Sequence, residues 1–150
     1  MTRILIAEQS KEVITFLKKQ FKGSQYKVDV VENSYDAWKA IGGEQYDVLL
    51  VNIIMPGLDG FVMAQKALQL NPGMQILFIT GFAAVAMDTY NTPAYAPQPM
   101  TSRPFHLREV GQRVKFYMGE IDLPFEAIYA QQGDQASDNV VYAEFGQNKG

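Results

Sequence analysis

The sequence predicts an α/β fold: a doubly wound sheet of five parallel strands, with helices on both faces and a C-terminal extension. Three observations carry this. Short apolar runs alternate with stretches of helical period from the start of the chain to about residue 118. One of those runs, Val48 to Val51, is four apolar residues in a row, as expected of a strand buried on both faces. Gly and Pro punctuate the joins, at Gly23, Gly42-Gly43, Pro56-Gly57, Asp59-Gly60 and Asn71-Pro72-Gly73.

The elements follow in order. Arg3 to Ala7 is a strand that runs out at Glu8-Gln9. Ser10 is a good cap for a helix with Val13, Ile14, Leu17 and Phe21 on one face, stopped at Gly23. Tyr26 to Val31 is the second strand. Ser34 can cap a short helix carrying Ala37, Trp38 and Ile41, with Trp38 expected in the core. Val48 to Val51 is the third strand, and Phe61 to Leu70 the next helix. Gln75 to Ile79 is the fourth strand, ending at Thr80-Gly81, and Phe82 to Met87 reads as a short helix. Three prolines between Asn91 and Pro99 rule out a long helix there. Pro99 to Ser102 reads as the fifth strand and His106 to Met118 as the last helix, with Leu107, Val110, Val114 and Tyr117 on one face. His106, the single histidine, is expected to be a surface or capping residue.

The chain has 150 residues, enough for one domain with a sizeable core. Hydrophobic residues make up 47% and charged ones 19%, ordinary for a globular protein. Met1 to Ile6 reads as a strand rather than a leader, and no apolar run reaches the roughly 18 residues of a membrane span. With no cysteine there is no disulfide, thiol chemistry or cysteine-ligated metal, and the expected location is the cytoplasm. Net charge is −3, unevenly spread: residues 1–118 hold 12 Lys/Arg against 10 Asp/Glu, and residues 119–150 hold one Lys against six Asp/Glu. No basic cluster marks a nucleic-acid surface.

Four polar residues fall where strands end: Glu8, Asn52, Thr80 and Arg103. In an open parallel sheet the carboxyl ends of the strands are where chemistry is placed, so the four should gather at one rim.

At these residues the chain resembles a bacterial response-regulator receiver domain over about residues 2–118, the flavodoxin-like fold. Ile4-Leu5-Ile6-Ala7-Glu8 resembles the opening strand and the start of the acidic pair. Asp47 to Gly60, with its Met55-Pro56 and Asp59-Gly60, resembles the phosphoacceptor strand and its loop. Thr80 stands at the switch Ser/Thr, and Arg103-Pro104-Phe105 at the Lys-Pro-Phe turn. Phe78 to Met87 and Ser102 to Arg108 are similar to CpdR-type single-domain receivers of alphaproteobacteria. That likeness implies an adaptor that primes the ClpX unfoldase of the ClpXP protease while unphosphorylated.

Against the family pattern the chain makes four departures. The acceptor aspartate is Asn52, the second acidic position is Gln9, the lysine is Arg103, and the switch aromatic is Met100. A carboxamide is neutral and its oxygen a poor nucleophile, so Asn52 is not expected to form the acyl phosphate. One carboxylate stands where the family has three, so Mg²⁺, the cation the family uses, is expected to bind weakly at most, and no other cofactor is expected. Arg103 is expected to pair with Glu8. Asn52, Glu8, Gln9, Thr80 and Arg103 thus form a degenerate phosphorylation site, with Pro99, Met100 and Phe105 on a switch-like surface.

The expected function is a phosphorylation-independent adaptor in two-component signalling. Its partner is a protein, with ClpX the candidate; neither nucleic acid nor a membrane is expected, and the sequence leaves oligomeric state open. Two alternatives stand beside it: a module sensing a small anion near Arg103 and Thr80, and a phosphorelay component using Asp47 or Asp59. No nucleophile–base pair suggests an independent enzyme. Residues 119–150 form an acidic tail. Within it, Leu123, Phe125, Ile128 and Tyr129 suit an amphipathic turn, 131–139 disorder, and Val140 to Phe145 a strand-like segment.

Overall fold

The computed structural model describes residues 1–55, 57–87 and 104–121. The strands are β1 (Thr2–Ala7), β2 (Tyr26–Val31), β3 (Val48–Asn52), β4 (Ile54–Met55), β5 (Leu58–Asp59), β6 (Gln75–Thr80), β7 (Ala83–Ala86) and β8 (Phe105–His106). The helices are α1 (Lys11–Lys18), α2 (Ser34–Gly43), α3 (Gly60–Leu70) and α4 (Val110–Tyr117). Short 3₁₀ turns at Lys19–Phe21 and Leu107–Glu109 extend α1 and lead into α4.

The main sheet has the order β2-β1-β3-β6-β7-β8. Strands β2, β1, β3 and β6 are parallel neighbours. Strand β7 runs antiparallel to both β6 and β8, so β8 runs the same way as the first four. The α/β class and the four parallel strands β2, β1, β3 and β6 agree with the sequence, but the sheet is mixed: β7 is antiparallel, and β8 lies at Phe105–His106, where the sequence reads a turn and the start of the last helix. The expected helix from Phe82 to Met87 is a strand. Alanine-rich Ala83-Ala84-Val85-Ala86 has good intrinsic helix propensity, but tertiary pairing outweighs it. Gly81, at φ +63°, opens a two-residue turn that folds Ala83 back onto Thr80. Small side chains then let β7 bury both its faces.

Each central strand feeds two cores by alternation. Ile4, Ile6, Leu50 and Leu77 point toward α1 and α4, where Leu17, Phe21, Val110 and Val114 cover them. Leu5, Ala7, Leu49, Val51, Ile76 and Phe78 point the other way, under Ala37 and Ile41 of α2 and Met63, Ala64 and Ala67 of α3. The four residues Ile4 to Ala7 are wholly buried, which at about 25 cal/mol per Å² of apolar area makes β1 a principal source of stability.

Smaller corrections concern the caps and the aromatics. Asn33, not Ser34, caps α2, its Oδ1 accepting from Asp36 N at 2.8 Å, while Ser34 is buried inside the first turn. Trp38 is half-buried, with Lys66 Nζ 6.0 Å from its ring centre, rather than a core residue. The last helix starts at Val110; His106 ends β8 and caps the 3₁₀ turn, its Nδ1 accepting from Arg108 N at 3.0 Å. The fifth strand expected at Pro99 to Ser102, and the tail segments from 122 onward, lie outside the described residues.

Candidate functional site

The carboxyl rim of the sheet is built from the ends of β1, β3 and β6. Glu8 follows β1 directly and is 2% exposed. Its Oε2 accepts from Gln9 N at 2.7 Å and Ser10 N at 2.9 Å, at the start of α1. Ser10 caps that helix through Oγ, accepting from Val13 N at 3.3 Å. The partial positive charge of a helix N-terminus stabilises a carboxylate held there. The acid-then-serine order Glu8-Gln9-Ser10 carried this signal in the sequence.

Asn52 ends β3 and reaches across to Glu8. Its Nδ2 lies 3.1 Å from Oε1 and 3.2 Å from Oε2. Its Oδ1 accepts from Ile54 N at 2.9 Å. The partners fix which way round the amide sits: a carboxylate only accepts and a backbone N–H only donates, so the opposite orientation would satisfy neither. Next along the chain, Ile53 N donates to Ile79 O at 3.1 Å and Ile53 O accepts from Gly60 N at 3.0 Å. The residue that follows Asn52 is therefore fixed through both its backbone N–H and its carbonyl.

Gly60 is required by this packing. A Cβ there would lie 2.6 Å from Asn52 O and 2.8 Å from Ile53 O, both backbone atoms. Asp59, just before it, caps α3 through Oδ1, accepting from Phe61 N at 2.7 Å. The β4–β5 ribbon, with Ile54 paired to Asp59, stands beside the amide and presents Ile54 to solvent.

Comparison with known proteins identifies the family. A family model described as the response regulator receiver domain matches residues 4–112. The chain is a response regulator receiver. It is 37% identical over 115 residues to the response regulator receiver protein CpdR of Brucella abortus, covering 77% of this chain and 95% of that one. It is 27% identical over 113 residues to the transcriptional regulatory protein TctD of Salmonella typhimurium, covering 75% of this chain and only 50% of TctD. A CheY-like receiver from Methanospirillum hungatei superposes with a TM-score of 0.60 at 22% identity, covering 80% of this chain and 95% of its own.

The receiver's rim unites some of the residues singled out from sequence. Glu8 and Asn52 are in contact. Thr80 is half-buried at the end of β6, one residue beyond the Asn52–Ile79 pair. Gln9 is exposed, and only its backbone N–H engages Glu8. Arg103, Met100 and Pro99 lie outside the described residues, and with them the expected Arg103–Glu8 pair. Phe105, expected on a surface, is buried, with the Arg113 guanidinium 4.2 Å above its ring. Proline at 104 and the short β8 turn its ring inward onto α4, and no sequence signal distinguished that from an exposed aromatic.

The donor set does not fit the Mg²⁺ that the family resemblance implies. Glu8 supplies one carboxylate, and an N–H donor faces both of its oxygens. Among the described residues no group of three His, Cys, Asp or Glu side chains is placed to hold a metal. Asp47 and Asp59 are engaged elsewhere: Asp47 Oδ2 accepts from Arg3 N at 2.8 Å at the opposite edge of the sheet, and Asp59 caps α3.

A second polar cluster, which sequence reading missed, lies at that opposite edge. The Tyr46 hydroxyl is 2.7 Å from Asp29 Oδ2 and 3.1 Å from Glu44 Oε2. Arg3 pairs with Glu44 at 2.6 Å and lies 5.5 Å from the Tyr46 ring centre. Burial, then the adjacent Asp29 and Glu44 carboxylates, push the Tyr46 hydroxyl well above its ordinary value.

Proposed function

We propose that this receiver works as a phosphorylation-independent interaction module, an adaptor recognised in one fixed state. One observation carries the reading. At the acceptor position stands a carboxamide whose oxygen is bound by Ile54 N and whose nitrogen is bound by Glu8. An amide so placed has no lone pair of carboxylate strength to offer a phosphoryl group. The two acidic alternatives, Asp47 and Asp59, already accept backbone hydrogen bonds, from Arg3 N and from Phe61 N.

The rim beside the pair suits protein recognition. Ile54 and Phe82 are exposed large apolar residues on the two loops that follow β3 and β6. The likeness to CpdR supports a protein partner, and the sequence resemblance to CpdR-type receivers names ClpX as the candidate. The test is binding of purified ClpX to the immobilised chain, with and without acetyl phosphate. The reading expects equal binding in both conditions. Binding abolished by the phosphodonor would overturn phosphorylation independence, and no binding in either condition would remove ClpX as the partner.

A further inference from the structure

The buried rim carboxylate of Glu8 has both oxygens hydrogen-bonded from within the chain. Glu8 accepts from two backbone N–H groups at the head of α1 and from Asn52 Nδ2, which faces both of its oxygens at nearly equal distance. The same amide ties that carboxylate, through Oδ1 and Ile54 N, to the β4–β5 ribbon. A bridge between an acid and a loop is what a bound divalent cation provides in a carboxylate pocket.

We propose that the Asn52 carboxamide performs this bridging task at Glu8, so that the rim is closed to divalent cations and the loop is held without one. The proposal rests on the reading above in taking position 52 as the family's acceptor position. It goes further in assigning the side chain a positive structural role. Asparagine is the one change that keeps the shape of aspartate and turns an acceptor into a donor. With aspartate at position 52, one oxygen still accepts from Ile54 N, but the other faces Glu8 as a like charge in a buried setting. Such a pair is relieved by a cation between the two acids or, failing that, by one acid taking up a proton at a cost to stability.

The test is thermal unfolding of the native chain and of Asn52→Asp, in MgCl₂ and in KCl of equal ionic strength. The native Tm is expected to be the same in both salts. Asn52→Asp is expected to unfold roughly 3–6 °C lower in KCl and to regain much of that loss in MgCl₂. A native Tm raised by Mg²⁺ over KCl overturns the proposal, and so does an Asn52→Asp variant indifferent to Mg²⁺. If the variant does not fold, side-chain amide NMR of the native chain decides. The Asn52 cross-peaks should stay in place on adding MgCl₂, and their displacement overturns the proposal. Intact mass after acetyl phosphate treatment separates the two ideas. Phosphoryl uptake by a chain that ignores Mg²⁺ in these measurements would defeat the adaptor reading alone. Mg²⁺ binding without uptake would defeat this proposal alone.

Discussion

Asn52 donates through Nδ2 to both carboxylate oxygens of Glu8, at 3.1 and 3.2 Å, across the ends of two neighbouring parallel strands. Because Asn52 Oδ1 also accepts from Ile54 N, this single side chain links α1, β3 and the β4–β5 ribbon. Three local choices converge on it: an acid before a helix cap, an amide at a strand end, and a glycine where α3 begins.

Asn52→Ala removes the donor facing Glu8 and the acceptor for Ile54 N together. A buried charge and a backbone donor each lose a partner, so the expected loss is about 1–3 kcal/mol. Urea unfolding of native and variant chains measures it. A loss near zero would mean that water replaces the amide freely.

Two glycines should respond differently to alanine. Gly60→Ala drives a Cβ into the backbone oxygens of residues 52 and 53, with an expected cost of about 2–3 kcal/mol. Gly81→Ala meets open space and suffers only the left-handed φ of +63°, with an expected cost of about 1 kcal/mol. Denaturant midpoints for the pair check the order. Equal costs would argue against the close approach at Gly60.

Tyr46→Phe tests the cluster at the other edge through its pH dependence. The folded chain holds the Tyr46 proton more tightly than the unfolded chain, which releases it near pH ~10. The hydroxyl's contribution is therefore fully present below that pH. It is lost as pH rises toward the higher folded value, by up to about 1.4 kcal/mol per pH unit. Native stability should fall more steeply above about pH 10 than that of Tyr46→Phe. Tyr26, shifted the same way by burial and by Glu120, leaves a residual slope in both chains. Parallel curves for the two proteins would contradict the assignment.

His106→Ala removes the Nδ1 that accepts from Arg108 N at the entry to α4. The expected cost is about 0.5–2 kcal/mol, and His106→Asn, which keeps a capping oxygen, should recover most of it. Thermal unfolding of the two variants is sufficient. Equal destabilisation would show that the His106 ring, edge-on to Phe16 at 6.3 Å, matters through packing instead.

Much of this was legible in the sequence, for physical reasons that can be named. The unbroken run Val48 to Val51 marked the central strand, because only a strand covered on both faces needs every side chain apolar. The strand-end positions of Glu8 and Asn52 followed from that strand, since parallel topology brings consecutive strand ends to one rim. Strand β7 was not legible: Ala83 to Ala86 is a good helix former alone, and only the turn at Gly81 and pairing with β6 make it a strand. Nor was the hydrogen-bond role of Asn52. Position predicted a lost nucleophile, but the amide's grip on Glu8 depends on a distance between strands that no spacing in sequence records. The Tyr46 cluster was missed for the same reason, since Arg3, Asp29, Glu44 and Tyr46 meet only after β1, β2 and β3 align.

The most direct measurement is the intact mass of the native chain after incubation with acetyl phosphate and MgCl₂. On the proposed reading, in which the Asn52 amide stands at the acceptor position, the chain should emerge with its mass unchanged. A gain of one phosphoryl group, mapped to the peptide that contains Asn52, would contradict the account.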